Sequence, residues 1–280
     1  MCRVLLTGAS GFLGKELSKY LFEMHFDVVE TSREGKNNSI PCDLTIREDV
    51  AFLINSVNPD LIVHTAAFVP KYEKDYSNKK ENSLNLIMLS HLIDESLSNI
   101  KIVFMSSMTV YGDNKESRRS ESDQCFPASE YARNKLIGEQ LLLNNVKNFI
   151  IVRIPGLFGK DREGGLIMNL IKSSLGNNSI NLPKKPIVWA AMEVSDAAIS
   201  IVKLIKSSVS LKKQEIVNIG YDEVYSINRL IKFHNEIFDT DLECNISHPE
   251  FIFDLKKLKK ISSLPSRGLK DAIVELKSLL

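Results

Sequence analysis

The chain predicts an α/β fold, a doubly wound parallel sheet carrying a small C-terminal lobe. Three observations predict it. Apolar runs of strand length recur at Val4–Leu6, Asp60–Ala67 and Ile102–Met105, as fully buried parallel strands require. Stretches with helical spacing separate these runs. The first junction between the two patterns carries glycines at 8, 11 and 14.

Length and charge narrow the class further. At 280 residues the chain can bury one large core, or a main domain and a smaller lobe. Its 36 basic and 35 acidic residues leave a net charge of +1, so no basic surplus points to nucleic acid and no acidic tract to disorder. Cys2, Cys42, Cys125 and Cys244 form no CxxC pair. They read as free thiols of a reducing cytoplasm, and no metal site is expected. The apolar start before Gly8 is too short for a secretion signal, and no apolar run reaches the roughly 18 residues of a membrane span.

In chain order, Val4–Leu6 enters Thr7-Gly-Ala-Ser-Gly-Phe-Leu-Gly14, and Leu13, Leu17, Tyr20, Leu21 and Met24 continue at helical spacing. Strand, glycine turn and helix form a dinucleotide fingerprint. Gly8 permits a tight turn, Gly11 lets backbone approach a pyrophosphate, and Gly14 allows close packing of helix on strand. The helix N-terminus offers N–H groups and partial positive charge to the phosphates. Asp27–Arg33 is the next strand and its exit. Where a carboxylate would bind the ribose hydroxyls of NAD, Ser32 stands, followed by Arg33; a hydroxyl and a guanidinium suit the 2′-phosphate of NADP. Asp43 either accepts from the adenine amino group or caps a helix starting near Ile46. The strand Asp60–Ala67 ends in Ala66 and Ala67, small enough for a cofactor to lie on the backbone, and His64 within it reads as a core residue.

Residues of about 75 to 98 form a long helix, with Leu84, Ile87, Met88, His91, Leu92 and Glu95 at helical steps; Asn82 in it either ties the site to the backbone or is exposed. The strand of 102–112 runs into serines, and Ser107 at its carboxyl end would donate to a carbonyl lying over the nicotinamide. A further helix, opening after Pro127 and running to about Val146, carries Tyr131-Ala-Arg-Asn-Lys135. Tyrosine and lysine four residues apart share one helix face, about 6 Å apart along the axis. The ammonium should lower the phenol's pKa toward neutrality, readying it to exchange a proton with a substrate oxygen. Beyond it, Gly164 and Gly165 open a helix through Leu175, 187–192 reads as a strand and 196–206 as a helix. Arg162, Lys184 and Lys185 are candidates for a substrate diphosphate, and Trp189 either stacks on a base or fills the lobe interface. The run from Lys256 to Lys260 reads as a solvated helix face.

Taken in order, the glycine turn, the Asp43 segment, Asp60–Ala67, Ser106–Gly112 and Tyr131–Lys135 resemble the extended short-chain dehydrogenase/reductases, in particular the nucleotide-sugar epimerase, dehydratase and reductase group. Ile151–Gly159, Glu193–Asp196, Val217–Gly220 with Ser226, Asp254–Leu258 and Gly268–Ala272 extend the resemblance over nearly the whole chain. The resemblance implies a Rossmann-type domain over 1–160 with returning segments near 187–220, and a substrate-binding lobe over 161–186 and 221–280. It makes Ser107, Tyr131 and Lys135 the catalytic trio. It sets Gly8, Ser10, Gly11, Phe12 and Leu13 around the pyrophosphate, Ser32 and Arg33 at the 2′-phosphate, and Asp43 with Leu44 at the adenine. Ala66 and Ala67 would line the cofactor, Asn82 would be the supporting asparagine, and Pro155 would lie near the carboxamide. Lys135 would also hold the nicotinamide ribose, and Thr109, Arg162 and Trp189 would face substrate. Three departures stand out: no clear proline–glutamate loop follows Gly112, Gly156 replaces an asparagine common near the substrate, and Met108 and Thr109 stand where a 4,6-dehydratase needs an acid. The expected activity is therefore an NADPH-dependent reduction of a nucleotide-linked 4-keto sugar. An epimerase retaining NAD is the alternative. A non-catalytic NADP-binding regulator is a third reading, against which Tyr131 and Lys135 are both retained. A homodimer through the helices near 80–98 and 130–146 is expected by analogy.

Overall fold

The computed structural model of the chain describes residues 2–70, 73–96, 99–112, 117–176, 182–208 and 214–280. Strand β1 (Arg3–Thr7) lies inside the sheet, its Val4, Leu5 and Leu6 wholly buried. It pairs in parallel with β2 (Asp27–Ser32) on one side and β4 (Leu61–His64) on the other. Beyond β2 lies β3 (Ile40–Pro41); beyond β4 lie β5 (Lys101–Ser107), β7 (Phe149–Ile154) and β10 (Gln214–Asn218). All seven strands run the same way, in the order β10-β7-β5-β4-β1-β2-β3. The chain steps outward from β1 in one direction and from β4 in the other. Between these two strands the winding reverses, and ligands of such sheets bind outside the carboxyl ends there.

Helices cover both faces. α1 (Phe12–Glu23) packs against α6 (Val194–Ser208) on one face. On the other, α3 (Lys79–Glu95) lies between α2 (Arg47–Val57) and α4 (Glu130–Asn145). Leu13, Leu17 and Leu21 of α1 are buried, as their spacing requires. Two short parallel pairs flank the main sheet: β8 (Gly156–Phe158) with β9 (Ala191–Glu193), and β6 (Arg118–Arg119) with β11 (Ile252–Phe253). Helices α5 (Leu166–Leu175) and α7 (Ile227–Phe238) pack together. The chain closes with α8 (Lys256–Ile261) and α9 (Leu269–Ser278), which Arg267 ties back through Asp196 (2.7 Å) on α6.

Several expected elements are shorter or shifted. The strand expected over 60–67 stops at His64, because the following backbone passes over the glycine turn: a Cβ on Gly8 would lie 2.6 Å from the Ala66 nitrogen. The strand expected over 102–112 stops at Ser107, whose hydroxyl accepts from the Thr109 N–H (3.2 Å) and turns 108–111 into one 3₁₀ turn. The strand expected over 187–192 is only Ala191–Glu193, limited by its three-residue partner. The long helix spans Lys79–Glu95, and 97–98 lie outside the described residues. Its inner face is Asn82, Asn85, Met88, Leu89 and Leu92, whereas Ile87 points outward. Two buried asparagines interrupt the apolar spacing, which is why the sequence pattern misplaces the face. Asp43 does not cap α2: its carboxylate holds the Thr45 N–H (2.9 Å) and hydroxyl (2.7 Å) ahead of the helix, whose cap position is Ile46.

Asn218, at the end of β10, is wholly buried and joins the sheet to its surroundings. It accepts from the Tyr111 hydroxyl (2.6 Å) and donates to the Arg119 carbonyl (3.1 Å). Asn218→Ala strands a buried phenol and a buried carbonyl, and should cost about 2–3 kcal/mol in urea unfolding. A cost below about 0.5 kcal/mol, that of an ordinary surface substitution, would contradict this role.

Candidate active site

The reversal between β1 and β4 places the glycine turn at the crevice. Gly8 takes a left-handed conformation (φ 71°) and donates to Thr31 O (3.0 Å). A Cβ on Gly14 would lie 2.1 Å from the Gly8 carbonyl oxygen, so only glycine lets α1 approach this closely. Gly11 caps α1 with no side-chain bond, and the first turn carries no acidic residue. Ser10, Gly11 and Phe12 are only partly covered, and Leu13 is buried beneath them. Such an N-terminus offers its N–H groups to an anion. These features fit the pyrophosphate of a dinucleotide.

The far end of the crevice is built around Arg33. Its guanidinium lies 5.3 Å from the Phe68 ring and 3.9 Å from the Asp43 carboxylate, and more than half of the side chain is exposed. Ser32 is turned away: its hydroxyl meets that of Ser39 (2.6 Å) and accepts from the Lys36 N–H (3.0 Å). Arg33 is thus the group that faces outward at the end of β2. The bonds from Thr45 keep the Asp43 carboxyl below the usual carboxylate range. Leu44 packs into the core with Cys42, Val50 and Leu53. Ala66 abuts Gly8, and Ala67 is partly exposed beside it.

Sequence reading overlooked Asn85. Its amide accepts from the Phe68 N–H (2.7 Å) and donates to the Phe68 carbonyl (3.1 Å), clamping the segment that holds Ala66, Ala67 and the Arg33 platform. Asn82 ties down the turn before α3, donating to Asp75 O (3.1 Å) and Asn78 O (2.7 Å). That turn carries Tyr76, also unforeseen, whose ring meets Tyr131 edge-on (centroids 5.8 Å apart, 84°). An aromatic within a polar stretch gives no periodic signal, and only the fold brings it to residue 131.

The expected trio converges. Ser129 caps α4 by accepting from the Ala132 N–H (3.1 Å), which sets Tyr131 and Lys135 on the face toward β5. Ser107 Oγ accepts from both the N–H (3.2 Å) and the hydroxyl (3.0 Å) of Thr109, leaving its own proton to donate. That hydroxyl bears on the buried Tyr131 phenol and favours its anion. Lys135 is buried and donates to Met105 O (2.7 Å), with its Nζ 4.9 Å from the Phe104 ring and 5.8 Å from the Tyr131 ring.

The charge state of the phenol corrects the sequence expectation. Burial raises the Tyr131 pKa, the neighbouring Tyr76 adds to the rise, and the Ser107 bond and the Arg162 charge only partly oppose it. Burial thus outweighs the Lys135 ammonium, which donates to a backbone carbonyl on the strand side. Desolvation brings the lysine itself down to about 8, against an upward pull from Glu139. His64 is a core residue as expected: it is bonded to Thr7 Oγ1 (2.8 Å), and burial holds its pKa near about 3.

The substrate candidates separate. Arg162 stacks over the Phe12 ring (5.4 Å), and its charge reaches Tyr131 and Tyr76. Lys184 and Lys185 are exposed in the loop before β9. Trp189 packs edge-on to Tyr225 (6.4 Å), as a lobe filler would. Pro155 is buried at the end of β7, and the next N–H, that of Gly156, binds Ala190 O (3.1 Å). The loop after Gly112 falls partly outside the described residues, at 113–116. Among the described residues no cluster of metal-ligating side chains occurs.

A family model described as RmlD substrate binding domain matches residues 2–214. The chain belongs to the RmlD substrate binding domain family. A relative named putative UDP-glucose 4-epimerase, from Methanocaldococcus jannaschii, is 27% identical over 96% of this chain and 95% of its own length. The dTDP-4-dehydrorhamnose reductase of Aggregatibacter actinomycetemcomitans is 28% identical over 57% of this chain and 53% of its own. Among solved structures, UDP-glucose 4-epimerase from Brucella ovis in complex with NAD superposes with a TM-score of 0.83 at 17% identity, covering 99% of this chain and 97% of that one; this likeness is one of fold. The RmlD-family chain is thus an oxidoreductase of the nucleotide-sugar reductase and epimerase type.

In this RmlD-family chain, Asn85→Ala should release the Phe68 segment. Affinity for the reduced nicotinamide dinucleotide, NADH or NADPH, read by fluorescence titration, should fall about tenfold for one or two lost hydrogen bonds. Unchanged affinity would remove Asn85 from the binding site.

Proposed function

We propose that the chain is an NADPH-dependent reductase of a nucleotide-linked 4-keto-6-deoxy sugar. The observation that carries this reading is Tyr131: its phenol is buried close to Ser107, and burial favours its protonated form. An acid poised to protonate a nascent alkoxide needs that state. When bound, the dihydronicotinamide supplies the hydride. Ser107 turns its single hydroxyl proton to the substrate carbonyl oxygen, and Tyr131 gives its own proton to that oxygen as charge develops there. The Lys135 ammonium has three donors and uses one on Met105 O. The others are free for the nicotinamide ribose and for the phenolate once the proton has left. Lys135 therefore acts after proton transfer begins, which reconciles a raised phenol pKa with a catalytic lysine.

Arg33 supports NADPH over NADH, since an exposed guanidinium at the end of β2 suits a 2′-phosphate. The match to the dTDP-4-dehydrorhamnose reductase supports a 4-keto sugar. In this reading residues 161–186 and 221–280 hold the nucleotide sugar, and Arg162 meets its diphosphate. Four unpaired thiols suit a reducing cytoplasm. Two copies would pair through α3 and α4, which expose Ile87 and Ile137. A second reading, an NAD-retaining epimerase, is favoured by the nearly full-length match to the archaeal relative.

Three outcomes are expected with NADPH and a nucleotide 4-keto sugar. Tyr131→Phe should lower turnover by roughly 10²–10⁴, the usual worth of a positioned acid; full turnover would remove Tyr131 as that acid. Arg33→Ala should abolish a preference for NADPH over NADH of about 10- to 100-fold, the worth of one charge-assisted contact. Equal use of both cofactors by the native chain would remove the NADP assignment. Activity should fall as pH rises through about 8, where Lys135 loses its proton; a flat profile to pH 10 would show that the ammonium is not required.

A further inference from the structure

A deeply buried ion pair lies beside Lys135, one of its members a helical turn along α4, in groups the proposed reaction does not use. Glu139 on α4 is 1% exposed and Arg153 on β7 is 3% exposed. Their contact is bidentate, Arg153 Nε to Oε1 (3.0 Å) and Nη2 to Oε2 (2.7 Å). The Ser106 hydroxyl, on β5 beside Ser107, donates to the same carboxylate. Arg153 also lies over the Tyr111 ring (4.8 Å) and donates to Glu121 O (3.3 Å). A pair so deeply buried is a poor source of stability, since desolving two ions offsets their attraction. Its placement has a different consequence.

We propose that Glu139 is the counter-ion and positioning residue of Lys135. Residues four apart on a helix are neighbours on one face, and both side chains turn toward β5. Lys135 reaches Met105 O and Glu139 reaches Ser106, adjacent residues of the strand that ends in Ser107. The carboxylate thereby anchors α4 to β5 and β7 at the height that lets Tyr131 meet Ser107. It also supplies the negative charge facing a buried ammonium. The other groups around Lys135 offer none in the working range: Tyr131 holds its proton, His64 on β4 is neutral, Phe104 and Met105 are uncharged, and Arg153 is cationic. Without Glu139, Arg153 keeps only the more distant Asp123 and Lys135 is left with no counter-ion, and the lysine is the one able to release its proton. The Ser/Tyr/Lys reading gives the proposal its consequence for turnover, and the proposal is tested apart from it.

The test is an NMR titration of the chain without cofactor or substrate, with ¹³Cε-labelled lysine and the Lys135 signal assigned by its loss in Lys135→Met. In Glu139→Gln the midpoint of Lys135 should move to lower pH by about one unit. Glu139→Asp should bring it back toward the native value. Should Glu139→Gln not fold, Glu139→Gln/Arg153→Met removes both members of the buried pair and leaves no unpaired guanidinium; the midpoint of Lys135 should again lie below the native one. A midpoint unmoved in these variants would overturn the proposal and leave Glu139 a packing residue. A chain inactive on every keto sugar, with the midpoint shifted as stated, would sink the reductase reading and leave this one standing.

Discussion

The site depends on how closely α4 lies on β5. Gly138 makes the approach possible: a Cβ there would sit 2.9 Å from Cζ of Phe104 and 3.1 Å from Leu89. Around that contact the two elements meet residue by residue. Tyr131 meets Ser107, Lys135 meets Met105, and Glu139 meets Ser106. Polar groups at this depth must find partners or destabilise the fold, so the seam both holds the helix and fixes its register. The same bonds that satisfy buried groups hold the phenol beside Ser107 and Tyr76.

A second close approach forms the other half of the site. Gly8 against Ala66, and Gly14 against the Gly8 carbonyl, bring α1, β1 and the exit of β4 together where the winding reverses. Asn85 clamps the Phe68 backbone from α3, and Asn82 holds the turn that carries Tyr76. Helix α3 thus supports both ends of the crevice: the Arg33 platform through Asn85, and the phenol's neighbour through Asn82. The buried asparagines that spoil its apolar pattern are the residues that give it this role.

What the sequence revealed follows from which signals are local. The glycine spacing, the apolar strands and the tyrosine–lysine step are short-range, and β1, α1, β5 and α4 appear where those signals place them. Strand ends were less legible, because they are decided by distant partners: β4 ends where Ala66 crosses Gly8, and β9 where β8 runs out of residues to pair. Asn85, Tyr76 and Glu139 carry no motif of their own, and each acquires its place through contact with an element far along the chain. The phenol's pKa was misjudged for a related reason. Helical spacing sets the lysine beside the tyrosine, but the depth of burial, which spacing does not reveal, outweighs its charge.

A protonated phenol beside a serine hydroxyl is the state that delivers a proton to a nascent alkoxide, and net reduction by added NADPH is the result to be measured. NADPH carrying deuterium at the transferable position, incubated with a nucleotide 4-keto sugar, tests this most directly. Mass spectrometry should find one deuterium at the former carbonyl carbon and one NADP formed for each sugar reduced. Inversion of a sugar centre with the added NADPH unconsumed and no label in the product would contradict it.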